Sequence, residues 1–283
     1  MADLFEFPEM PREQRSIKLF RTPFPKDPEN AAPKVAKRFG VTGKVRDAGA
    51  RLIFSNQRCN LELFRASDSL RWSEMGKLKS EDDGAVGLPD EKTAMKSAAA
   101  YLKDHGLALT NRRPPDVTWA ELSIFHRGMT KPETKPVAIH VNYRYELDGL
   151  PVFGPGAKTC VTFGGKAKVL ECYHFWRAAK QEGERPLLSA GRIAEIFRND
   201  EAYAQLDSES ARVSVRSAQF GYYALPPREY QGMLIPVCAV SGTVNTRVLP
   251  RYDFLRYVVA VDFAENDVKE LGVVTSRLPR IIN

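Results

Sequence analysis

Four polar side chains at alternate positions, His140, Asn142, Arg144 and Glu146, are the first place in this chain where residue types and spacing suggest chemistry. In an extended strand, alternate side chains leave one face about 6.5–7 Å apart, so neighbours in such a row can converge on one small ligand. His140 titrates near neutrality and would serve as acid or base, Arg144 would bind an anion, and Glu146 would hold the guanidinium in place. The competing reading of the same row is a solvated sheet face with cross-strand ion pairs. Glu171, Cys172 and His174 form a second cluster, with Cys172 and His174 on one strand face and Glu171 on the other. Tetrahedral zinc would need two further ligands, and His126 and His140 stand at no metal-binding spacing from this cluster. Nor do the three residues define the base and orienting group that a nucleophilic Cys172 requires. No metal and no cofactor are expected.

The tyrosines concentrate in the β-rich part of the chain, where aromatic packing in strands is the ordinary role. A subset can line an apolar pocket between helix and sheet, which makes Tyr222 and Tyr223, with Asn142 and His174, the candidate ligand-binding residues. The segment GPGAKT, residues 154–159, has a Lys-Thr pair but not the length and spacing of a phosphate loop. GxSxG, HExxH and GxGxxG do not occur.

The elements that must position these residues are mostly strands. From Val137 the chain alternates, with Val137, Ile139, Val141, Tyr143, Tyr145 and Leu147 on one face and the polar row on the other. That period of two predicts one long strand over 137–147 with a helix on its apolar face. Asp148-Gly149 turns the chain, and Gly164-Gly165 centres a hairpin reaching Trp176. RLIFSNQRCNLELF, residues 51–64, reads as an earlier hairpin. Asp90 caps a helix through His105, with Gly106 at its end, and Ser189 caps another that presents Ile193, Ile196 and Phe197. Long strands over 211–225, 233–240 and 254–263 follow. Prolines 8, 11, 23, 25, 28 and 33 break up the N-terminus, whose phenylalanines imply that it docks on the body.

Helix followed by antiparallel strands therefore recurs, in shortened form first, as a degenerate repeat. The boundaries are a docked irregular arm at 1–33, a short helix plus β-hairpin at 34–80, a full α+β module at 90–178, a second at 187–265 and an extension at 266–283. The acidic, Gly-containing stretch 80–90 is the linker candidate.

The net charge of +7 is dispersed, with acidic residues interrupting the basic ones between Arg12 and Arg46, so a solvated surface is expected and no nucleic-acid partner. No apolar run reaches the ~18 residues of a membrane span. The N-terminus lacks a basic region followed by an apolar one, which points to the cytoplasm, or to a secreted or envelope location if a leader is cleaved. The four cysteines contain no CxxC pair and read as reduced and mostly buried.

The stretch from Val141 to Trp176 resembles the PepSY-type and YycI-like modules of bacterial envelope proteins, in Asp148, Gly149, Pro151, Val152, Gly154, Gly164, Gly165 and Trp176. Tyr222, Tyr223, Leu234, Pro236 and Val237 are similar to a later segment of such tandem modules, with Cys238 where an aromatic is usual, and Tyr257 to Asp262 fits the closing strand. The resemblance implies an α+β fold of tandem, cystatin-like modules, each a helix cradled by a curved antiparallel sheet. It also implies a non-enzymatic binding or structural role towards a protein or peptide partner. The alternative is a small-molecule enzyme or ligand carrier with a pocket over the sheet, using His140, Arg144 and Glu146.

Overall fold

The computed structural model describes residues 5–6, 15–75, 87–107, 109–128, 130–203, 206, 211–247, 250–263 and 281–282. In chain order the elements are β1 (Phe5–Glu6), β2 (Ser16–Arg21), α1 (Pro28–Arg38), β3 (Val45–Asp47), β4 (Arg51–Ser55), β5 (Cys59–Phe64), β6 (Leu70–Glu74) and α2 (Glu91–Asp104). Then come β7 (Asp116–Ile124), β8 (Glu133–Leu147), β9 (Leu150–Phe153), β10 (Lys158–Phe163), β11 (Val169–Phe175), β12 (Lys180–Pro186) and α3 (Ala190–Arg198). β13 (Ala211–Tyr223), β14 (Ile235–Thr246), β15 (Tyr252–Val259) and β16 (Ile281–Ile282) complete the set.

Local chemistry accounts for the helices. Asp90 accepts the Thr93 amide at 2.9 Å, and Ser189 accepts that of Arg192 at 3.2 Å, each supplying an acceptor to an otherwise orphaned N–H. Gly106, at φ +65°, ends α2 in the left-handed region that glycine enters at little cost. α1 begins at Pro28, earlier than the prolines suggested, because Asp27 caps it and Pro28 occupies the first turn, where a missing N–H costs nothing.

Among the described residues, fourteen strands form one sheet in the order β16-β15-β14-β13-β9-β8-β10-β11-β6-β5-β4-β3, with β1 on β13 and β7 on β8. β12 and β2 form a separate pair, which docks the N-terminal arm by burying Ile17, Leu19 and Phe20. The expected α+β fold of tandem helix-plus-curved-sheet modules is thereby corrected: the chain is sheet-dominated, and only three α-helices occur among the described residues. The reason lies in β8. Fifteen residues long, it pairs with β7 and β10 over most of its length and with β9 at its C-terminal end. β9 in turn runs parallel to β13, and β11 pairs with β6, so backbone hydrogen bonds carry one ladder across the expected module boundaries. Hydrophobic periodicity reports which face of a strand is buried, not which strand satisfies its edge.

Ala94, Ala98 and Leu102 of α2 pack on Ile139, Val141 and Tyr143 of β8, together with Val161, Phe163 and Cys172. The alanines let the helix approach the sheet closely. Further along β8, Tyr145 and Leu147 join a different cluster with Ile17, Phe20, Trp176 and Tyr222. The alternation of β8 slips once. Ala120 faces Ala138 but Glu121 faces Pro136, so Val137 is an extra residue, beside a proline that has no N–H to give the ladder. Most of the 80–90 linker and the 266–283 extension lie outside the described residues.

Candidate functional site

The polar row of β8 lies on the face opposite α2. Residues directly across an antiparallel pair share a face, so His140 is flanked by Thr162 of β10 and Thr118 of β7, and Asn142 by Cys160 and Asp116. His140 Nδ1 stands 2.9 Å from the Thr162 hydroxyl, and Asn142 Nδ2 donates to Thr118 Oγ1 at 3.1 Å. Burial lowers the His140 pKa and the Glu171 carboxylate partly offsets this, so the ring is neutral at pH 7 and suited to hydrogen bonding more than to charge. Arg144 pairs with Asp116 at 3.3 Å, and Glu146 with Arg113 at 3.5 Å, all well exposed. The expected Glu146–Arg144 pairing is absent, because each found a partner across a strand or in the preceding loop. His140 and Glu146 are six residues apart, about 20 Å at strand rise, too far to share a small ligand.

The remaining sequence candidates lie in the core. His174 is 8% exposed, with Nδ1 2.8 Å from Thr159 Oγ1, which itself stands 2.7 Å from the Tyr145 hydroxyl. Burial holds its pKa down to about 4. Tyr222 is fully buried against Phe20, and Tyr223 packs beside Tyr257 in a separate cluster. Asn142, His174, Tyr222 and Tyr223 are therefore not brought together. Cys172 is buried among the side chains under α2, which pushes its thiol pKa far above the usual range, while Glu171 on the opposite face pairs with Arg71 at 2.6 Å. Among the described residues, no group of three His, Cys, Asp or Glu side chains is placed to hold a metal ion, and no helix is long and apolar enough to cross a membrane.

What sequence reading missed is the edge strand β7. Its nine residues pair with β8 alone, which leaves its outer edge without a strand partner among the described residues. Trp119 is 41% exposed on this strand and Phe125, just beyond it, is 70% exposed. Trp119 lies opposite Ile139 and so on the α2 side of the sheet. The signal was present in VTWAELSIF, residues 117–125, which alternates well enough to be a strand. Only the topology shows that it ends up as an edge.

No protein-family model matches the chain, and no curated protein matches it. Among solved structures it is similar to an uncharacterized protein from Eubacterium rectale, with a TM-score of 0.49 and 10% identity over 87% of this chain and 84% of that one.

Proposed function

We propose that this protein is a non-enzymatic binding module that recognises an extended segment of a protein or peptide partner by strand addition at β7. The observation that carries the reading is a nine-residue edge strand that, among the described residues, is paired on one side only and displays an exposed tryptophan. An open edge offers a row of N–H and C=O groups that another chain can pair, and natural proteins blunt such edges with brevity, charged side chains, prolines or bulges. β7 carries Asp116, Glu121 and a bulge against β8 at Ala120/Glu121, but it has no proline or lysine and is longer than an average strand. In this mode, backbone hydrogen bonds give affinity and side-chain contacts such as Trp119 give specificity. The reading as a small-molecule enzyme over His140, Arg144 and Glu146 draws less support, since Arg144 is paired with Asp116, Glu146 is paired with Arg113, and His140 lies too far along the strand from Glu146 to share a small ligand with it.

Affinity selection from a random heptapeptide library tests the proposal. Enriched peptides should carry β-branched and aromatic residues at alternate positions, and Trp119→Ala should weaken them by ~30-fold, the loss typical of a buried interface tryptophan. Failure to enrich any sequence, or equal binding by Trp119→Ala, would overturn it.

A further inference from the structure

Where α2 ends, Ala99, Lys103, Gly106, Leu107, Leu109 and Arg112 line an open groove of about 470 Å³. That volume falls among ordinary small-molecule pockets. Its apolar part has a fixed base, because Leu107 and Leu109 are half-buried and pack on the cluster beneath α2. Its rim is cationic. Lys103 stands in the last turn of α2, and the Arg112 guanidinium lies 5.5 Å from the centroid of the Tyr143 ring, an orienting platform for a planar cation. A third cation adjoins them: Arg38 reaches from α1 to donate to the His105 carbonyl at 2.8 Å. A Cβ on Gly106 would meet that guanidinium at 2.5 Å, so the glycine admits Arg38 against the groove wall.

The charges opposing an anion here are Asp104 and the partial negative charge of the α2 C-terminus. Arg38 already satisfies part of the latter. By contrast with Arg113 and Arg144, which are paired with Glu146 and Asp116, neither Lys103 nor Arg112 has a carboxylate partner among the described residues. Two unpaired cations beside half-buried leucines are complementary to one ligand chemistry.

We infer that this groove binds a small amphipathic carboxylate, with its hydrocarbon on Leu107 and Leu109 and its head group between Lys103 and Arg112. The groove adjoins the N-terminal end of β7, since Arg112 bridges to Tyr145 of β8 and Leu109 packs on the same cluster as Val117, but the inference does not rest on strand addition at β7.

Isothermal titration with dodecanoate, held below its micelle concentration, tests the assignment on the full chain. Saturable binding of one molecule per chain is expected. Lys103→Gln and Arg112→Gln should each weaken it roughly tenfold, the value of a hydrogen bond to a charged group. Leu109→Asp should abolish it, with thermal melts of the unliganded variants confirming that they fold. Should Leu109→Asp fail to fold, the exposed Lys103→Gln carries the test. Dodecyl maltoside, with the same chain and an uncharged head, should not saturate the site. Absence of saturable dodecanoate binding, equal binding by both Gln variants, equal affinity for dodecyl maltoside, or binding only to anionic phospholipid vesicles would each overturn the inference.

Discussion

Lowering the pH from 7.5 to 4 should destabilise this protein through one buried histidine, and the size of the effect follows from its surroundings. His174 sits at the end of the buried Tyr145–Thr159–His174 hydrogen-bond chain, in a position that favours the neutral ring. Burial holds its pKa in the folded state at about 4, whereas an unfolded histidine titrates near 6.5. The unfolded chain therefore binds the proton first, and stability that is fully present above pH 6.5 is lost as the pH falls towards 4. A difference of about 2.5 pKa units corresponds to about 3 kcal/mol. Urea unfolding of wild type and His174→Gln in half-unit pH steps isolates this contribution, because His140 and the carboxylates titrate in both proteins and cancel in the difference. At pH 7 the variant should be less stable by ~1–2 kcal/mol for the altered bond to Thr159. The gap should close and then reverse as wild type loses about 3 kcal/mol more than the variant. Parallel stability curves for the two proteins would refute the reasoning.

Three further outcomes follow from the packing. Ala98→Leu inserts bulk where α2 lies against Ile139 and Val141, and should lower stability by ~1–3 kcal/mol in thermal or chemical melts. Arg177, whose buried guanidinium donates to the carbonyls of Leu225, Pro226 and Glu229, holds the loop after β13, and Arg177→Met should cost about 3 kcal/mol by leaving those acceptors unmatched. Of the thiols, Cys160, Cys172 and Cys238 are buried with raised pKa values and Cys59 is only partly so, so a disulfide reagent on the native protein at pH 8 should modify Cys59 first and all four at once in urea. Rapid native labelling of Cys172 would contradict its placement under α2.

The long strand, the helix on it and both cap residues were legible because each is set by neighbours in sequence. Ile139, Val141 and Tyr143 alternate, Ala94, Ala98 and Leu102 recur at helical spacing, and Asp90 precedes them. The slip at Val137 was hidden because Pro136 disturbs the ladder without disturbing the pattern of apolar residues. The fold class failed for a non-local reason: the parallel β9–β13 and antiparallel β11–β6 pairings join segments that look like separate units. The site residues divide in the same way. The outward direction of His140, Asn142 and Arg144 could be read from alternation, but the partners Thr162, Thr118 and Asp116 come from other strands. Tyr222 and Tyr223 could not be told from pocket residues, since burial on both faces depends on the docked N-terminal arm and on β14 and β15.

The central claim is that β7 is an open edge that accepts a partner strand. Amide hydrogen exchange of residues 116–124, read residue by residue with and without a library-selected heptapeptide, tests it most directly. In the free protein the amides turned away from β8 should exchange quickly while those bonded to it are protected. On binding, the outward amides should slow by one to two orders of magnitude, and residues on β3 and β16 should not change. Slowing confined to other strands, with β7 unaltered, would contradict the account.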